Sequence, residues 1–467
     1  MGDFSGFPKN LAYSIKNLSG FSKQTIKLLP DRWTSISSGD TIRVKLPVNS
    51  LVQLNTFSMF FEATAGGAQQ HFPRLSSSLI EALSIYVNGT LVETINRYNA
   101  LYNCLFDLQG AGVDQQSKRF LENIDPSVGY TAIDTNGYIT GRTNTLTTST
   151  KDTSKVMMIN NWLGFLGSAN GGIAVIDTAD LGDVYVEIRF SNDKVLWTSY
   201  LGTYVAGTGY TLNNIRFTIS RISFNDPTYY ELKAAKLLSS GLNIGYHTYS
   251  THLGPAVTKP NAVNFIFNVN ANSLDQIICT SVDAGATAST IGPLCLYNAG
   301  STIEGNHKCF DETLPLSPEN SLQTSAVTAG DLFNQSMYFR RNMYGLATSQ
   351  IEVNNVQMNP YPLPPEEIFN ESLISLGNLN IDLYSGVHQG CKSIYHFLKY
   401  YFCHILSLEN ISGDSQFWKS GLDGRSASVT IKWYATFTTG TDVVQPLVFC
   451  RRTNIMSVTE GHQILIQ

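Results

Sequence analysis

Apolar and polar side chains alternate with a period of two along much of this chain. Ile42, Val44 and Leu46 alternate with Thr41, Arg43 and Lys45, and Val184, Val186, Ile188 and Phe190 with Tyr185, Glu187 and Arg189. Leu83, Ile85 and Val87 alternate with Ser84, Tyr86 and Asn88, and Gly89 closes that run as a turn residue. Ile215, Phe217 and Ile219 follow the same rule until parity slips at Ser220-Arg221, before Ile222 and Phe224. One extra residue at that point predicts a β-bulge. The later half repeats the style with Phe265, Phe267 and Val269, and with Val429, Ile431, Trp433, Ala435 and Phe437. Successive residues of a strand face opposite sides, so each of these segments turns one face to a core and one to water. That predicts antiparallel sandwiches rather than parallel sheets covered on both faces.

Three segments carry a helical period instead. Tyr98, Leu101, Tyr102, Leu105 and Leu108 share one helix face. Pro364-Pro365-Glu366-Glu367 is a helix start, with proline early and carboxylates at the positive end of the dipole, and Ile368, Phe369, Ser372, Leu373 and Leu376 follow on one face. The third helix opens at Asp226-Pro227 and stops at Gly241, a complete set of start and stop signals. Two stretches have turn chemistry and little period, residues 128–155 and 283–345, and are expected as long loops.

The two halves also repeat each other. Asn49-Ser50-Leu51-Val52-Gln53-Leu54 is echoed by Asn272-Ser273-Leu274-Asp275-Gln276-Ile277, and Ile85-Tyr86-Val87-Asn88-Gly89 by Ile351-Glu352-Val353-Asn354-Asn355. Leu101-Tyr102-Asn103 returns as Ile368-Phe369-Asn370, and Val186-Glu187-Ile188-Arg189-Phe190 as Val429-Thr430-Ile431-Lys432-Trp433. The offsets run 223, 266, 267 and 243 residues, so the later copy carries an early insertion, which 283–345 supplies, and a late deletion. A period this long means two similar domains rather than a solenoid. The expected organisation is an N-terminal arm over 1–33, a first sandwich over 34–225, a connector helix over 226–241 and a second sandwich over 242–467. The first two helices then occupy matching places in the two copies.

Composition narrows the function. Of the 467 residues only 14% are charged, against roughly 25% in ordinary soluble proteins, while 43% are apolar. Ser, Thr, Asn and Gly take the place of the missing charge, which fits β structure and extensive protein contact. Net charge is −5 and no Lys/Arg block stands out, so strong nucleic-acid binding is not expected. The seven cysteines (Cys104, Cys279, Cys295, Cys309, Cys391, Cys403, Cys450) are odd in number and contain no Cys-x-x-Cys, which fits buried free thiols made in a reducing compartment. Five Asn-x-Ser/Thr sequons, at Asn17, Asn88, Asn334, Asn370 and Asn410, carry no weight without a secretory route, and an N-terminal signal peptide is not evident. Met1-Gly2 resembles a myristoylation start, but Gly6 stands where Ser or Thr is needed. The richest apolar run, Ile394 to Leu408, is broken by Lys399 and two histidines, so no transmembrane segment is expected.

Catalytic chemistry has no clear foothold. Gly386-Val387-His388-Gln389-Gly390-Cys391-Lys392-Ser393 places Cys391 where a phosphate-cradling loop needs glycine before Lys-Ser, and reads as a glycine-rich turn. His388, His396 and His404 are eight residues apart and His247 and His252 five apart, neither a metal-ligand spacing, so structural or surface roles are expected. Glu62, Glu93 and Glu187 sit in strands, but a glycosidase would need two facing carboxylates, and a Gly-x-Ser-x-Gly elbow is missing. The abundant Tyr and Phe are expected in cores and interfaces. No catalytic, cofactor-binding or metal-binding residue is assigned.

The combination resembles the double jelly-roll major capsid proteins of icosahedral double-stranded DNA viruses, and within them those of polinton-like viruses and virophages. The segments that carry the resemblance are Pro73-Arg74-Leu75 to Asp107, Leu212-Asn213-Asn214 through Asp226-Pro227 to Leu238, and the closing Val429–Phe449 strands. The resemblance implies an all-β chain of two tandem eight-stranded antiparallel jelly rolls, joined by the connector helix and standing side by side. It implies a homotrimer forming a pseudo-hexameric capsomer that tiles a virion shell, with neighbouring capsomers, penton and minor or cement proteins as partners and no enzymatic activity. The protein would be made in the host cytoplasm or nucleus. Residues 283–345, and with them 128–155, would form outward loops, and the arm, with Lys9, Lys16, Lys23 and Lys27, would run under the shell. The alternative is a carbohydrate- or receptor-binding spike or fibre protein on jelly rolls. A sandwich hydrolase and a vertex penton are further readings; the penton usually needs only one roll.

Overall fold

The computed structural model describes residues 21–67, 70–73, 75–109, 128–133, 139–144, 154–168, 175–198, 209–224, 231, 233–235, 237–238, 241–283, 339, 341–376, 394, 397–398, 401–409, 421–425, 428–440, 443–459 and 463–466. Sixteen strands build two sandwiches. In the first they are β1 (Phe21–Leu28), β2 (Thr41–Lys45), β3 (Leu51–Ala65), β4 (Ile80–Val87), β5 (Thr90–Asn96), β6 (Lys155–Ile159), β7 (Val184–Phe190) and β8 (Tyr210–Phe224). In the second they are β9 (Leu242–Leu253), β10 (Val263–Val269), β11 (Ser273–Asp283), β12 (Leu346–Val353), β13 (Val356–Gln357), β14 (His404–Ser407), β15 (Val429–Phe437) and β16 (Val443–Thr459).

The strand order is the same in both. The first sandwich pairs β1-β8-β3-β6 in one sheet and β2-β7-β4-β5 in the other. The second pairs β9-β16-β11-β14 and β10-β15-β12-β13, which is that order shifted by eight strands. All of these pairs are antiparallel. Two sheets of four, interleaved in this way, define a jelly roll. Short extra strands extend the sheets that contain β8 and β16, among them Val175–Asp177 against β3 and Gln463–Ile466 against β16.

Alternation explains the burial. Strand β7 buries Val184, Val186, Ile188 and Phe190 and turns Tyr185, Glu187 and Arg189 outward, and β15 does the same from Val429 to Phe437. In the first core Phe57 stacks on Phe217 at 5.2 Å and packs against Trp162, whose indole N–H donates to the Phe57 carbonyl at 2.9 Å. In the second core Trp433 is fully buried beside Phe402. The β4–β5 and β12–β13 hairpins turn at Asn88-Gly89 and Asn354-Asn355, all four at positive φ, as tight two-residue hairpin turns require.

The four repeated motifs therefore sit at equivalent places: the starts of β3 and β11, the two hairpins, the two helices, and β7 with β15. Those helices are α1 (Tyr98–Gln109) and α2 (Pro365–Ser375), and α2 opens with Pro365 in its first turn beside Glu366 and Glu367. In the connector segment the described residues Glu231, Lys233–Ala235, Leu237 and Leu238 are helical, and Gly241 has φ +69°.

Two features differ from the sequence reading. Phe21–Leu28 falls in the segment expected as an arm, yet it pairs along its length with β8 and forms the edge of a sheet. Its side chains are mostly exposed, so the alternation that marks buried strands is weak there. The irregularity expected in β8 occurs between Thr218 and Ser220, but the extra residues lie on the facing strand. Thr218 pairs with Ser58 and Ser220 with Gln53. Thr56 fills the gap: its hydroxyl donates to the Gln53 carbonyl at 2.7 Å and accepts from the Ser220 amide at 2.8 Å.

Candidate functional site

A buried polar network lies where the two rolls meet. Strand β5, at the edge of the first roll, faces β9, at the edge of the second. The Tyr246 hydroxyl donates to the Val92 carbonyl at 3.1 Å, and the Thr251 hydroxyl to the Asn96 carbonyl at 2.7 Å. The short helix Gly164–Gly167 closes one side of this seam. Phe165 meets Tyr246 edge to face with ring centres 5.3 Å apart, and the His247 amide donates to the Ser168 hydroxyl at 2.8 Å. Burial pushes the Tyr98 phenol well above its ordinary value and the Tyr246 phenol up to about 12, so both stay neutral and act as hydrogen-bonding groups. Glu93 of β5 is also inside the seam, where its Oε2 accepts from the Phe165 amide at 2.8 Å.

Behind the seam lies a second buried network, at the register shift where Leu274 pairs with Arg452 and Gln276 with Arg451. The residue between them, Asp275, is fully buried and accepts from the Ser273 hydroxyl at 2.8 Å and the Thr453 hydroxyl at 2.6 Å, with His247 Nδ1 3.4 Å away. Arg451 pairs with Glu409 and lies near the same carboxylate. A buried carboxyl group is costly unless hydrogen bonds of this kind satisfy it.

A Ser–His–Glu relay is also present. Ser349 Oγ is 2.9 Å from His404 Nδ1, and His404 Nε2 is 2.9 Å from Glu371 Oε2. Sequence reasoning missed it, because Ser349 is a mid-strand residue and its partners follow 55 and 22 positions later in β14 and α2. Its geometry is that of a structural tie. Ser349 Oγ accepts the Trp433 indole N–H at 2.9 Å, and Ser349 and His404 are 1% and 0% exposed, so a substrate carbonyl has no path to the hydroxyl.

The other sequence-marked residues are dispersed. His252 stacks on Phe267 at 4.4 Å, and burial, helped by Arg452, holds its imidazole below the ordinary value. Glu187 pairs with Arg43 on the outer face of the first roll, where the guanidinium lies over Tyr86 and Tyr185. Glu62 lies on the outward side of β3 and Glu187 on that of β7, while Glu93 is buried in the seam, so the three form no facing pair. Cys104, Cys279, Cys403 and Cys450 are buried and not disulfide-bonded, and burial holds Cys279, Cys403 and Cys450 far above the ordinary thiol value. Among the described residues, no group of three or more His, Cys, Asp and Glu is arranged to hold a metal ion, and no helix is long and apolar enough to cross a membrane. His388, His396, the Gly386–Ser393 turn, Cys295, Cys309 and Cys391, residues 1–20 and most of 283–345 lie outside the described residues. Of 128–155 the structure describes the hairpin Val128–Ile133 with Ile139–Asn144 and the residues from Ser154.

No protein-family model and no curated protein sequence matches the chain. Its fold does have solved counterparts. The PBCV-1 virus capsid is 11% identical, with 96% of this chain and 97% of that one covered at TM-score 0.58. The Sputnik virophage structure is 9% identical over 96% and 89% of the two chains at TM-score 0.56. The Faustovirus major capsid protein is 11% identical over 95% and 91%, with TM-score 0.51. Identities this low speak for the fold alone, and that fold, over nearly the full length of both chains, is the double jelly roll.

Proposed function

We propose that this chain is the major capsid protein of an icosahedral virus. The observation that carries the reading is the doubled strand order: one chain holds two rolls of the same topology, packed edge to edge across β5 and β9. Three such chains present six similar domains around one axis, and a pseudo-hexamer of that kind can fill the six-coordinated positions of a closed lattice. The double jelly rolls of the PBCV-1 capsid and the Faustovirus major capsid protein support this use of the fold.

The division of labour follows. The first roll runs from β1 to β8, the second from β9 to the last strand, and 226–241 connects them. The arm beneath the shell and the outward loops that this reading assigns to the N-terminal segment and to 283–345 fall mostly on residues outside those the structure describes. Its partners are two further copies, adjacent capsomers, and penton and minor proteins at vertices and seams. Its place is the virion shell, after synthesis in the host cytoplasm or nucleus, and its role is structural, without catalysis. The low charged fraction, 14%, suits surfaces that are buried against copies of themselves.

The test is to express the full chain and image it in negative stain while screening it on a glycan array. Hexagonal, ring-like particles without glycan binding are expected. Specific glycan binding by a chain that never assembles would move the reading to a spike or fibre protein.

A further inference from the structure

We propose that Glu93 is a proton-operated latch between the two rolls: uncharged, it lets the seam close around it, and on losing its proton it loosens the seam. Three observations carry this. Its side chain comes from β5 of the first roll and ends among groups of both rolls, only 3% exposed. Its carboxyl has a single well-aligned donor, the Phe165 amide at 2.8 Å, which takes Oε2. Oε1 has no protein donor in hydrogen-bonding geometry, although the Thr248 hydroxyl of β9 approaches the carboxyl from the second roll.

The site is also built closely around the carboxyl. Gly164 adopts φ +71°, and a Cβ at that position would overlap both Glu93 oxygens, so the backbone of the short helix is drawn against the acid where any side chain would hold it off. The titratable and charged groups that face Glu93 are Tyr98 of α1, Tyr246 and Tyr249 of β9, and Arg452 of β16. The three phenols are neutral. Arg452 is the one cation among them, and its Nη1 is already engaged by the Asn270 carbonyl at 2.8 Å.

A carboxylic acid suits this site better than a carboxylate. Protonated, Oε1–H can donate to the Thr248 hydroxyl and join the rolls. Ionised, the group places a charge in the seam with one aligned donor, and such a charge is expelled or hydrated. Burial accordingly pushes the Glu93 carboxyl up to about 7, while the Phe165 amide, Thr248 and Arg452 act in the opposite direction. The sign follows from linkage. The acid is held above its ordinary value of 4.5 in the fold, so its stabilising contribution is complete below that value and is lost as pH rises through about 7. The latch is closed in mildly acidic surroundings and released in mildly alkaline ones. It concerns the two rolls of one chain and holds whether or not the chain builds a shell.

Glu93→Gln keeps the shape without the charge. The experiment is amide hydrogen exchange of the full chain between about pH 6 and 8.5, corrected for intrinsic rates, read on peptides covering Thr90–Asn96 and Leu242–Leu253. The wild-type rate relative to E93Q is expected to rise up to tenfold for each pH unit until about pH 7 and to level off above it. A ratio independent of pH overturns the proposal. Should E93Q fail to fold, infrared difference spectra of the wild type decide the matter. A protonated-carboxyl band present at pH 6 and lost around pH 7 supports the latch, and its absence at pH 6 refutes it.

Discussion

Replacing Ile431 by Asp places a carboxyl at the centre of the second core. Ile431 is 0% exposed on β15 and stands between Phe267 of β10 and Val353 of β12. Losing its buried side chain forfeits about 1.5–3 kcal/mol. The new carboxyl must then stay neutral. At about pH 7.5, from an ordinary value of about 3.9, that adds about 5 kcal/mol at about 1.4 kcal/mol per pH unit. Together these approach the whole stability of an ordinary domain, roughly 5–15 kcal/mol. The second roll is therefore expected not to fold at neutral pH. Val186 of β7 is likewise 0% exposed in the first roll, between Val44 and Ile85, and Val186→Asp is expected to disable that roll in the same way. Soluble yield and denaturant unfolding followed by circular dichroism measure the effect, and lowering the pH toward 4 should recover part of the loss. Either variant within about 1 kcal/mol of wild type at pH 7.5 would refute the assigned register, because a one-residue slip turns both side chains to solvent.

Three smaller predictions follow from individual contacts. Gly164→Ala forces a Cβ onto Glu93 at positive φ; a loss of at least ~2 kcal/mol is expected in denaturant titration, centred on the seam. Lys233 ties the connector to Asp177 at 2.7 Å and Asp180 at 3.1 Å in a mostly buried setting, so Lys233→Met should lower the melting temperature, by an amount equivalent to ~2–3 kcal/mol, because two carboxylates lose their shared cation. Asn355 turns the β12–β13 hairpin at φ +64°; Asn355→Gly should leave calorimetric stability unchanged or raise it by up to ~1 kcal/mol, whereas Asn355→Val should lower it.

The sandwich could be read from the chain because its strands are long and half buried, so burial wrote itself into alternate positions of β7 and β15. The repeat was legible for a related reason: equivalent hairpins and strand starts need the same residue types, as at Asn88 and Asn354. What stayed hidden depends on partners distant in sequence. Strand β13 is two exposed residues long and carries no period. Strand β1 is exposed at most positions and becomes a strand only through β8. The bulge was visible as a slip in one strand, but which strand carries the extra residues depends on their pairing. Glu93 stood out only as a carboxylate in a strand. Its surroundings come from Phe165 and Thr248, 72 and 155 positions onward, and a single segment cannot show that.

The central claim is that three copies of this double jelly roll form one ring. The measurement that tests it most directly is the solution mass of the purified chain by light scattering across a concentration series. A stable species near three times 51.4 kDa that does not dissociate on dilution is the predicted result. A monomer of 51.4 kDa at every concentration would contradict it.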